Sequence, residues 1–321
     1  MRDTGPGEEK TIRNPIRIGT RGSRLALTQT NAVADEIRRR HPALTVEVQV
    51  IRTKGDIMQD VSLAKIGGKG VFVKEIEDAL TRGGIDLAVH SMKDVPVELP
   101  AGLAIGVVTR REDARDVLIS RGRLKLEALP KGARLGTGSL RRKFQLRNLL
   151  PDVEIVPLRG NLDTRIRKIE TDGLDGVVVA AAGIRRMGWV GRVSQFIPVE
   201  LMLPAIGQGV LGIELRADDR ELLEALAFLH HPETALEVAA ERAFLKRLGG
   251  GCQLPIAAYG RLRGPELVLQ GLVGSVDGRI MLRDEIRGAA ADGEALGGRL
   301  AETILERGGR AILDAAYACD D

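Results

Sequence analysis

A cysteine in a glycine-rich loop is the residue of this sequence best suited to covalent chemistry. Cys252 follows Gly249, Gly250 and Gly251 and precedes Gln253-Leu254-Pro255. Three successive glycines supply no side chains that would cover the thiol, and they permit positive φ angles, so we predict a tight and accessible loop. An accessible thiol reacts when its pKa permits, whereas most free cysteines are small buried hydrophobic residues. Position alone leaves both interpretations of Cys252 open.

Basic side chains form a second chemical feature, because they follow predicted strands at several separate points of the chain. Ligands of α/β sheets bind beyond the carboxyl ends of the strands, so we expect these loops to share one cleft. Arginine forks match carboxylates in bidentate pairs, and helices that begin at Ser23 and Ser139 would add backbone donors. A polyanion site is therefore predicted, although phosphate would satisfy the same charges and any one arginine alone is usually a solvated surface residue. The basic residues concerned are Arg21, Lys93, Arg141, Arg142, Arg159 and Arg165.

Asp94 is the one carboxylate among these basic loops. It is either a general acid or base that faces an anionic substrate or a partner in a salt bridge with a neighbour such as Lys93 or Arg21. Spacing does not distinguish these two roles. The four histidines show no metal-ligand spacing with cysteine, so no metal is predicted.

Composition restricts the class of protein. The chain has 321 residues, 48 Lys and Arg against 44 Asp and Glu, and a formal net charge of +4. Aromatic residues make up only 2%, which argues against stacking platforms for single-stranded nucleic acid. No apolar stretch is long enough to span a membrane. Two cysteines cannot build a disulfide framework, and the N-terminal residues lack an apolar signal core, so a cytoplasmic protein is expected.

Hydrophobic periodicity predicts two α/β domains and a smaller α+β domain. Strands and helices alternate from Ile16 to about residue 215, with buried strands at Val117–Ile119 and Val177–Ala180. A helical pattern follows from Asp219 to Leu248, interrupted at His231-Pro232. After Cys252, short runs separated by glycine turns predict an antiparallel meander, followed by a helix over residues 294–307.

Taken together, these segments resemble the porphobilinogen deaminase family, also called hydroxymethylbilane synthases. The similarity runs in order from about Ile16 to Tyr317. Two small departures are Gly138, where the family often has Ser, and Gly249, where it often has an acidic residue. The matching motifs are residues 17–23, 65–72, 90–96, 136–142, 158–165, 204–209 and 250–256.

The resemblance implies an enzyme that condenses four porphobilinogen molecules head to tail, releasing ammonia, and then hydrolyses the product free as hydroxymethylbilane. It implies a covalent dipyrromethane cofactor on Cys252, no nucleic-acid or membrane partner, and a monomer. The implied architecture is a pair of periplasmic-binding-protein-like α/β domains and a smaller cofactor-bearing α+β domain. Its expected boundaries are residues 1–109 with 210–228, residues 110–209, and residues 229–321.

Site residues are carried over by motif match. Asp94 corresponds to the catalytic carboxylate, and the Gly-rich segment from Thr53 to Gly70 to a mobile flap. The implied cofactor-binding residues are Cys252, Ser91, Lys93, Thr137, Ser139, Arg141 and Arg142. The implied substrate-binding residues are Arg21, Ser23, Lys65, Lys69, Phe72, Arg159, Arg165, Arg186 and Gln208.

Two rival functions remain open on the residues alone. An anion-binding or regulatory module with the same two α/β domains would need the arginines but neither Cys252 nor Asp94. An enzyme that uses Cys252 as a thiolate nucleophile would need a His or Asn partner, which the sequence does not identify. The mass of the intact protein separates these possibilities.

Overall fold

The computed structural model describes residues 13–53, 73–250 and 254–318. The strands are β1 (Ile16–Thr20), β2 (Val46–Val50), β3 (Leu87–Ser91), β4 (Leu103–Val108), β5 (Asp116–Ser120), β6 (Arg134–Thr137), β7 (Glu154–Pro157), β8 (Gly176–Ala180), β9 (Gln195–Ile197), β10 (Leu211–Arg216), β11 (Ile256–Arg263), β12 (Glu266–Gly274) and β13 (Met281–Ala289). The helices are α1 (Arg24–Arg40), α2 (Lys74–Thr81), α3 (Leu140–Leu149), α4 (Leu162–Thr171), α5 (Ala181–Arg186), α6 (Arg220–Leu226), α7 (Pro232–Arg247), α8 (Gly293–Ile304) and α9 (Arg310–Ala318).

Two five-stranded sheets have the same topology. Their strand orders are β2-β1-β3-β10-β4 and β7-β6-β8-β5-β9. In each sheet the first three strands are parallel, and the fourth runs antiparallel to its neighbours. That fourth strand is the one the chain forms directly after it crosses from the other sheet. The expected pair of similar α/β domains is therefore confirmed, while the residue boundaries given above stay a prediction.

Buried branched side chains account for these sheets. Ile16 and Ile18 of β1 are fully buried, and every residue of β8 is buried. Val, Ile and Leu fit a pleated surface that is covered on both faces by helices. Ser23 caps α1 as predicted, since its hydroxyl accepts a hydrogen bond from the Ala26 N–H at 3.3 Å.

The third unit is the predicted meander with helices on one face. Strands β11, β12 and β13 form an antiparallel sheet, and α7 and α8 pack on it around the fully buried Phe244. The predicted break at His231-Pro232 separates α6 from α7, with His231 as the N-cap of α7. The helix predicted over 294–307 ends earlier, at Ile304, because the chain enters a π-type turn in which Gly308 takes a φ of 103°.

Helix α3 of the second sheet unit is the contact surface for the third unit. Its Phe144 is fully buried and packs against Leu203, Ala257 and Leu272. The first sheet unit contacts the third unit through Arg242, whose guanidinium donates to the carbonyl oxygens of residues 95, 96 and 97. The third unit is thus held by both sheet units. No helix among the described residues is both long enough and apolar enough to cross a membrane.

The chain crosses between the sheet units twice, once between β4 and β5 and once between β9 and β10. The two crossings touch each other at Gly209. The Gly209 carbonyl oxygen accepts from the Glu112 N–H at 3.1 Å and from Arg186 Nη2 at 2.7 Å. Gly209 has a φ of 89°, and a Cβ there would overlap the Glu112 carbonyl oxygen. Both the backbone conformation and the close approach therefore require glycine.

We predict that Gly209→Ala lowers the free energy of unfolding by about 1–3 kcal/mol, through overpacking and positive-φ strain. The control is Gly298→Ala within α8, where the added Cβ meets nothing within 4 Å. That control should raise stability by about 0.5–1 kcal/mol, because alanine is the better helix former. Urea unfolding of both variants tests the pair, and equal stability of Gly209→Ala and wild type would contradict the prediction.

Candidate active site

A cleft opens between the two α/β units at the carboxyl ends of their parallel strands. Its walls include the loops that follow β1, β3, β6, β7 and β8. The helices α1, α3 and α4 begin at the same edge, after Ser23, Ser139 and Asn161, so their positive dipole ends lie near the cleft. This placement confirms the prediction that the separate basic loops converge on one cleft.

The charges of the cleft are strongly unbalanced. Among its described lining residues, six are basic and one is acidic. The acidic residue is Asp94. The basic residues are Arg21, Lys93, Arg142, Arg159, Arg165 and Arg186. Such an arrangement favours a ligand with several negative charges.

The pKa values of these side chains report the same imbalance. Burial lowers the pKa of Lys93 to about 8, and the charges of Arg142 and Arg165 lower it further against the opposing effect of Asp94. Burial, Arg142 and Arg159 lower the pKa of Arg165 to about 10. Burial likewise lowers the pKa of Arg186 to about 10. Each shift means that the charged form is disfavoured, and an anionic ligand would relieve that penalty.

Asp94 lies in the short 3-10 turn Met92–Asp94 that follows β3. Its side chain is exposed and lines the cleft near Lys93 and Arg165. Within residues 13–53, 73–250 and 254–318, Asp94 forms no salt bridge. The carboxylate is thus exposed to the cleft, and its role as general acid or base stays a prediction.

Arg141 and Arg142 are adjacent in sequence but occupy different environments. Both are almost fully buried, Arg141 at 4% and Arg142 at 5% exposure, but only Arg142 is among the described residues that line the cleft. Both donate to the same carboxylate, that of Asp116, which is fully buried. Burial would raise the pKa of Asp116, but the charges of Arg141 and Arg142 hold that pKa well below its usual range. Arg141 and Arg142 thus share one buried counter-charge, and Arg142 is the member of the pair that contributes to the cleft lining.

The hydroxyl and amide groups predicted for the site are distributed unevenly. Ser23 and Ser91 line the cleft, and Thr137 and Ser139 do not. The Thr137 hydroxyl accepts from the Ser139 N–H at 3.3 Å, which orders the turn before α3. Gln208 lines the cleft, but its amide donates inward to the Ala114 carbonyl oxygen at 2.7 Å and to Asp116 Oδ1 at 2.9 Å.

Sequence reasoning missed two polar residues of the site, Asp116 and Gln29. Asp116 stands at the start of a buried strand, and a carboxylate in an apolar run was the available signal. Gln29 lines the cleft and donates to Ser91 Oγ at 3.3 Å. At Gly138, where the family often has Ser, an added Cβ would overlap the Leu158 carbonyl oxygen. Its glycine thus permits close packing of two loops of the cleft.

Four predicted site residues lie outside the described residues. They are Lys65, Lys69, Phe72 and Cys252, and the predicted flap also falls there from residue 54 onward. The residues that flank Cys252 are described. Leu254 packs in one core with Leu248 and Ile206, and Ile206 precedes the Gly207-Gln208-Gly209 segment of the cleft. Both the loop ends and the cleft wall are therefore anchored to the same core.

Comparison with known proteins gives a consistent result over nearly the whole chain. The family profile described as "Porphobilinogen deaminase, dipyromethane cofactor binding domain" matches residues 16–224, and "Porphobilinogen deaminase, C-terminal domain" matches residues 235–306. A porphobilinogen deaminase of Syntrophus aciditrophicus is 60% identical over 93% of this chain and 98% of that protein. One of Pelobacter propionicus is 54% identical over 94% of this chain and 97% of that protein. The chain belongs to the porphobilinogen deaminase family.

Proposed function

We propose that this protein is a hydroxymethylbilane synthase, a transferase that joins four porphobilinogen molecules head to tail, releases four ammonia molecules and then hydrolyses the tetrapyrrole free. The cleft carries this proposal, since six basic side chains face one carboxylate. Each pyrrole of such a chain bears an acetate and a propionate, so every added ring brings two negative charges. Unpaired carboxylates in a partly buried site would be costly, and the surplus of guanidinium groups offsets that cost.

The same donor set fits a covalent dipyrromethane. The lowered pKa values of Lys93 and Arg165 show that burial and neighbouring cations disfavour their charged forms, and the carboxylates of two pyrroles would relieve that penalty. When bound, that group supplies the pyrrole carbon on which the product chain is built. Cys252 would hold it covalently, with Lys93, Ser91 and Arg142 as ligands of its polar groups.

Asp94 is proposed as the general acid and base of the reaction. Its carboxylate is exposed and lines the cleft beside Lys93 and Arg165. An ionised carboxylate beside a pyrrole accepts a hydrogen bond from the ring N–H and stabilises positive charge that develops on the ring. It also accepts and returns a proton as ammonia leaves.

The remaining basic residues are proposed as substrate ligands. Arg159 is exposed at the cleft edge, which suits the carboxylates of incoming porphobilinogen. Arg165 and Arg186 donate to the carbonyl oxygens of Gly160 and Gly209 at 2.7 Å each, so their guanidinium groups are held in place. The proposed set of substrate ligands also includes Arg21, Ser23, Lys65, Lys69, Phe72 and Gln208. A monomer in the cytoplasm is proposed as the working form, with the domain boundaries given above.

The first prediction concerns covalent loading. The intact mass of the purified protein should exceed the sequence mass by two linked pyrrole units, and an acidic aldehyde reagent for pyrroles should colour it. Cys252→Ser should lose most of this added mass, while Cys319→Ser, the matched thiol control, should retain it. A fully active protein without added mass would contradict the proposal, because it would show that Cys252 neither carries the pyrrole units nor serves as the point of elongation.

A second prediction concerns Asp94. Asp94→Asn preserves the shape of the side chain but removes its charge and its ability to accept a proton, so kcat should fall by about 100-fold or more. The fold should survive, because the side chain is exposed, and thermal unfolding should remain near that of wild type. A kcat within about tenfold of wild type, roughly 1.4 kcal/mol of barrier, would assign the role to another group.

A third prediction follows from the pKa of Lys93, which burial lowers from 10.5 to about 8. The ammonium charge is complete well below pH 8 and is lost as the pH rises through 8. Porphobilinogen binding should therefore weaken as the pH rises above 8, and the KM should show this inflection. In the folded protein the charged form is disfavoured, so the stability cost of Lys93 is present below pH 8 and is relieved between pH 8 and 10.5.

Lys93→Gln should weaken binding below pH 8 and remove the inflection. Lys168→Gln is the control, because Lys168 lies on α4 and pairs with Asp172 at 3.6 Å; its pH profile should match that of wild type. NMR of the lysine side chains gives the midpoint directly. An unchanged inflection in Lys93→Gln would show that another group titrates.

A further inference from the structure

One buried carboxylate collects hydrogen bonds from three side chains behind the cleft. Asp116 Oδ2 accepts from Arg141 Nη1 at 2.8 Å. Asp116 Oδ1 accepts from Arg142 Nη2 at 2.8 Å and Nε at 3.1 Å, and from Gln208 Nε2 at 2.9 Å. Asp116 is fully buried, so no solvent competes for these bonds.

These partners come from different parts of the chain. Asp116 begins β5, just after the first crossing between the sheet units, and Gln208 lies in the second crossing. Arg141 and Arg142 lie in the first turn of α3. The carboxylate therefore joins both crossings to the start of the helix that presents Arg142 to the cleft.

Arg142 has donors left over after these internal bonds. Of the five N–H groups of a guanidinium, Nε and one on Nη2 bind Asp116, and one on Nη1 binds the Val178 carbonyl oxygen at 3.2 Å. The two remaining N–H groups belong to a side chain that lines the cleft. The bonds to Asp116 and Val178 fix the plane of this guanidinium group.

Arg141 is not among the described residues that line the cleft. Its Nη1 is shared between Asp116 and the Leu203 carbonyl oxygen at 2.7 Å, and its Nη2 points to Gln208 Oε1 at 3.4 Å. Two guanidinium groups and one carboxylate leave a single net positive charge in this cluster. Without Asp116, two buried cations would face each other with no counter-charge, which is strongly unfavourable.

We propose that Asp116 is the positioning residue that fixes Arg142 and Gln208 in the cleft wall for an anionic pyrrole carboxylate, and that Arg141 acts only through Asp116. Asp116 itself touches no ligand. The inference rests on the proposed function for the identity of the ligand, porphobilinogen or the attached dipyrromethane. It assigns the two neighbouring arginines different duties, one as a ligand and one as a buried counter-charge.

The test compares Asp116→Asn with Asp86→Asn. Asp86 is the matched control, because it is also fully buried and accepts hydrogen bonds from arginines, namely Arg13, Arg17 and Arg216. It precedes β3 at the opposite end of the sheet from the cleft. Both variants should lose stability. Only Asp116→Asn should lose added pyrrole mass and, in an Asp94→Asn background that prevents turnover, bind porphobilinogen about tenfold or more weakly by calorimetry.

A double-mutant cycle separates positioning from a general loss of stability. In an Arg142→Gln background, Asp116→Asn should add little further loss of porphobilinogen affinity, since the group that it positions is already gone. Equal and additive losses in both backgrounds would contradict the inference. If Asp116→Asn fails to fold, the charge-balanced variant Asp116→Asn with Arg141→Gln replaces it, and it should bind more weakly than Arg141→Gln alone.

Failure of the inference and failure of the proposed function give different results. If wild type carries the added mass and Asp116→Asn loads and binds like Asp86→Asn, the inference is wrong and the function stands. If wild type lacks the added mass but binds porphobilinogen, the proposed reaction is wrong. The comparison of affinities then still decides the role of Asp116. If wild type neither carries nor binds a pyrrole, both are overturned.

Discussion

Mutual repulsion among cations in a partly buried cleft is the constraint on which the rest of the site depends. The charges of Arg142 and Arg165 lower the pKa of Lys93, and the charge of Arg142 lowers the pKa of Arg165. The protein must therefore hold these cations in place against repulsion until an anion arrives. It does so by tying guanidinium groups to carbonyl oxygens and to one buried carboxylate. These side chains are therefore ordered during folding, so that less of the ligand's binding energy is needed to order them.

The two chain crossings meet this requirement. They hydrogen-bond to each other between Glu112 and Gly209, and Asp116 and Gln208 join them again one turn away. The positive φ of Gly207 and Gly209 lets the second crossing fold tightly against the first. A segment that connects two α/β units is usually a hinge, and here it also carries the groups that orient a wall of the cleft.

The third unit carries Cys252, the proposed attachment point, and contacts the two crossings through its helix α7. Its helix α7 meets the crossings through Glu241, which accepts from the Gly207 N–H at 2.6 Å and from Arg111 Nη2 at 2.7 Å. The core that contains Leu254 also contains Ile206. The residues on either side of the Cys252 loop thus pack on the same core as the cleft wall. This arrangement suits the proposed covalent group, which would stay attached while its free end is extended.

The sequence by itself determined the strands, the helix starts and the types of side chain at the strand ends, because these follow from local periodicity, glycine positions and caps. Ser23, Asp94 and the convergence of the basic loops were predictable for that reason. Tertiary structure alone decided which of two neighbouring arginines lines the cleft. Successive residues on a helix diverge by about 100°, so Arg142 faces the cleft and Arg141 faces inward. Asp116, the carboxylate that both arginines bind, is 25 residues from Arg141 and 92 residues from Gln208 along the chain. Its lowered pKa arises only when these distant charges are buried together, because the strength of an ion pair depends on the low dielectric that folding creates.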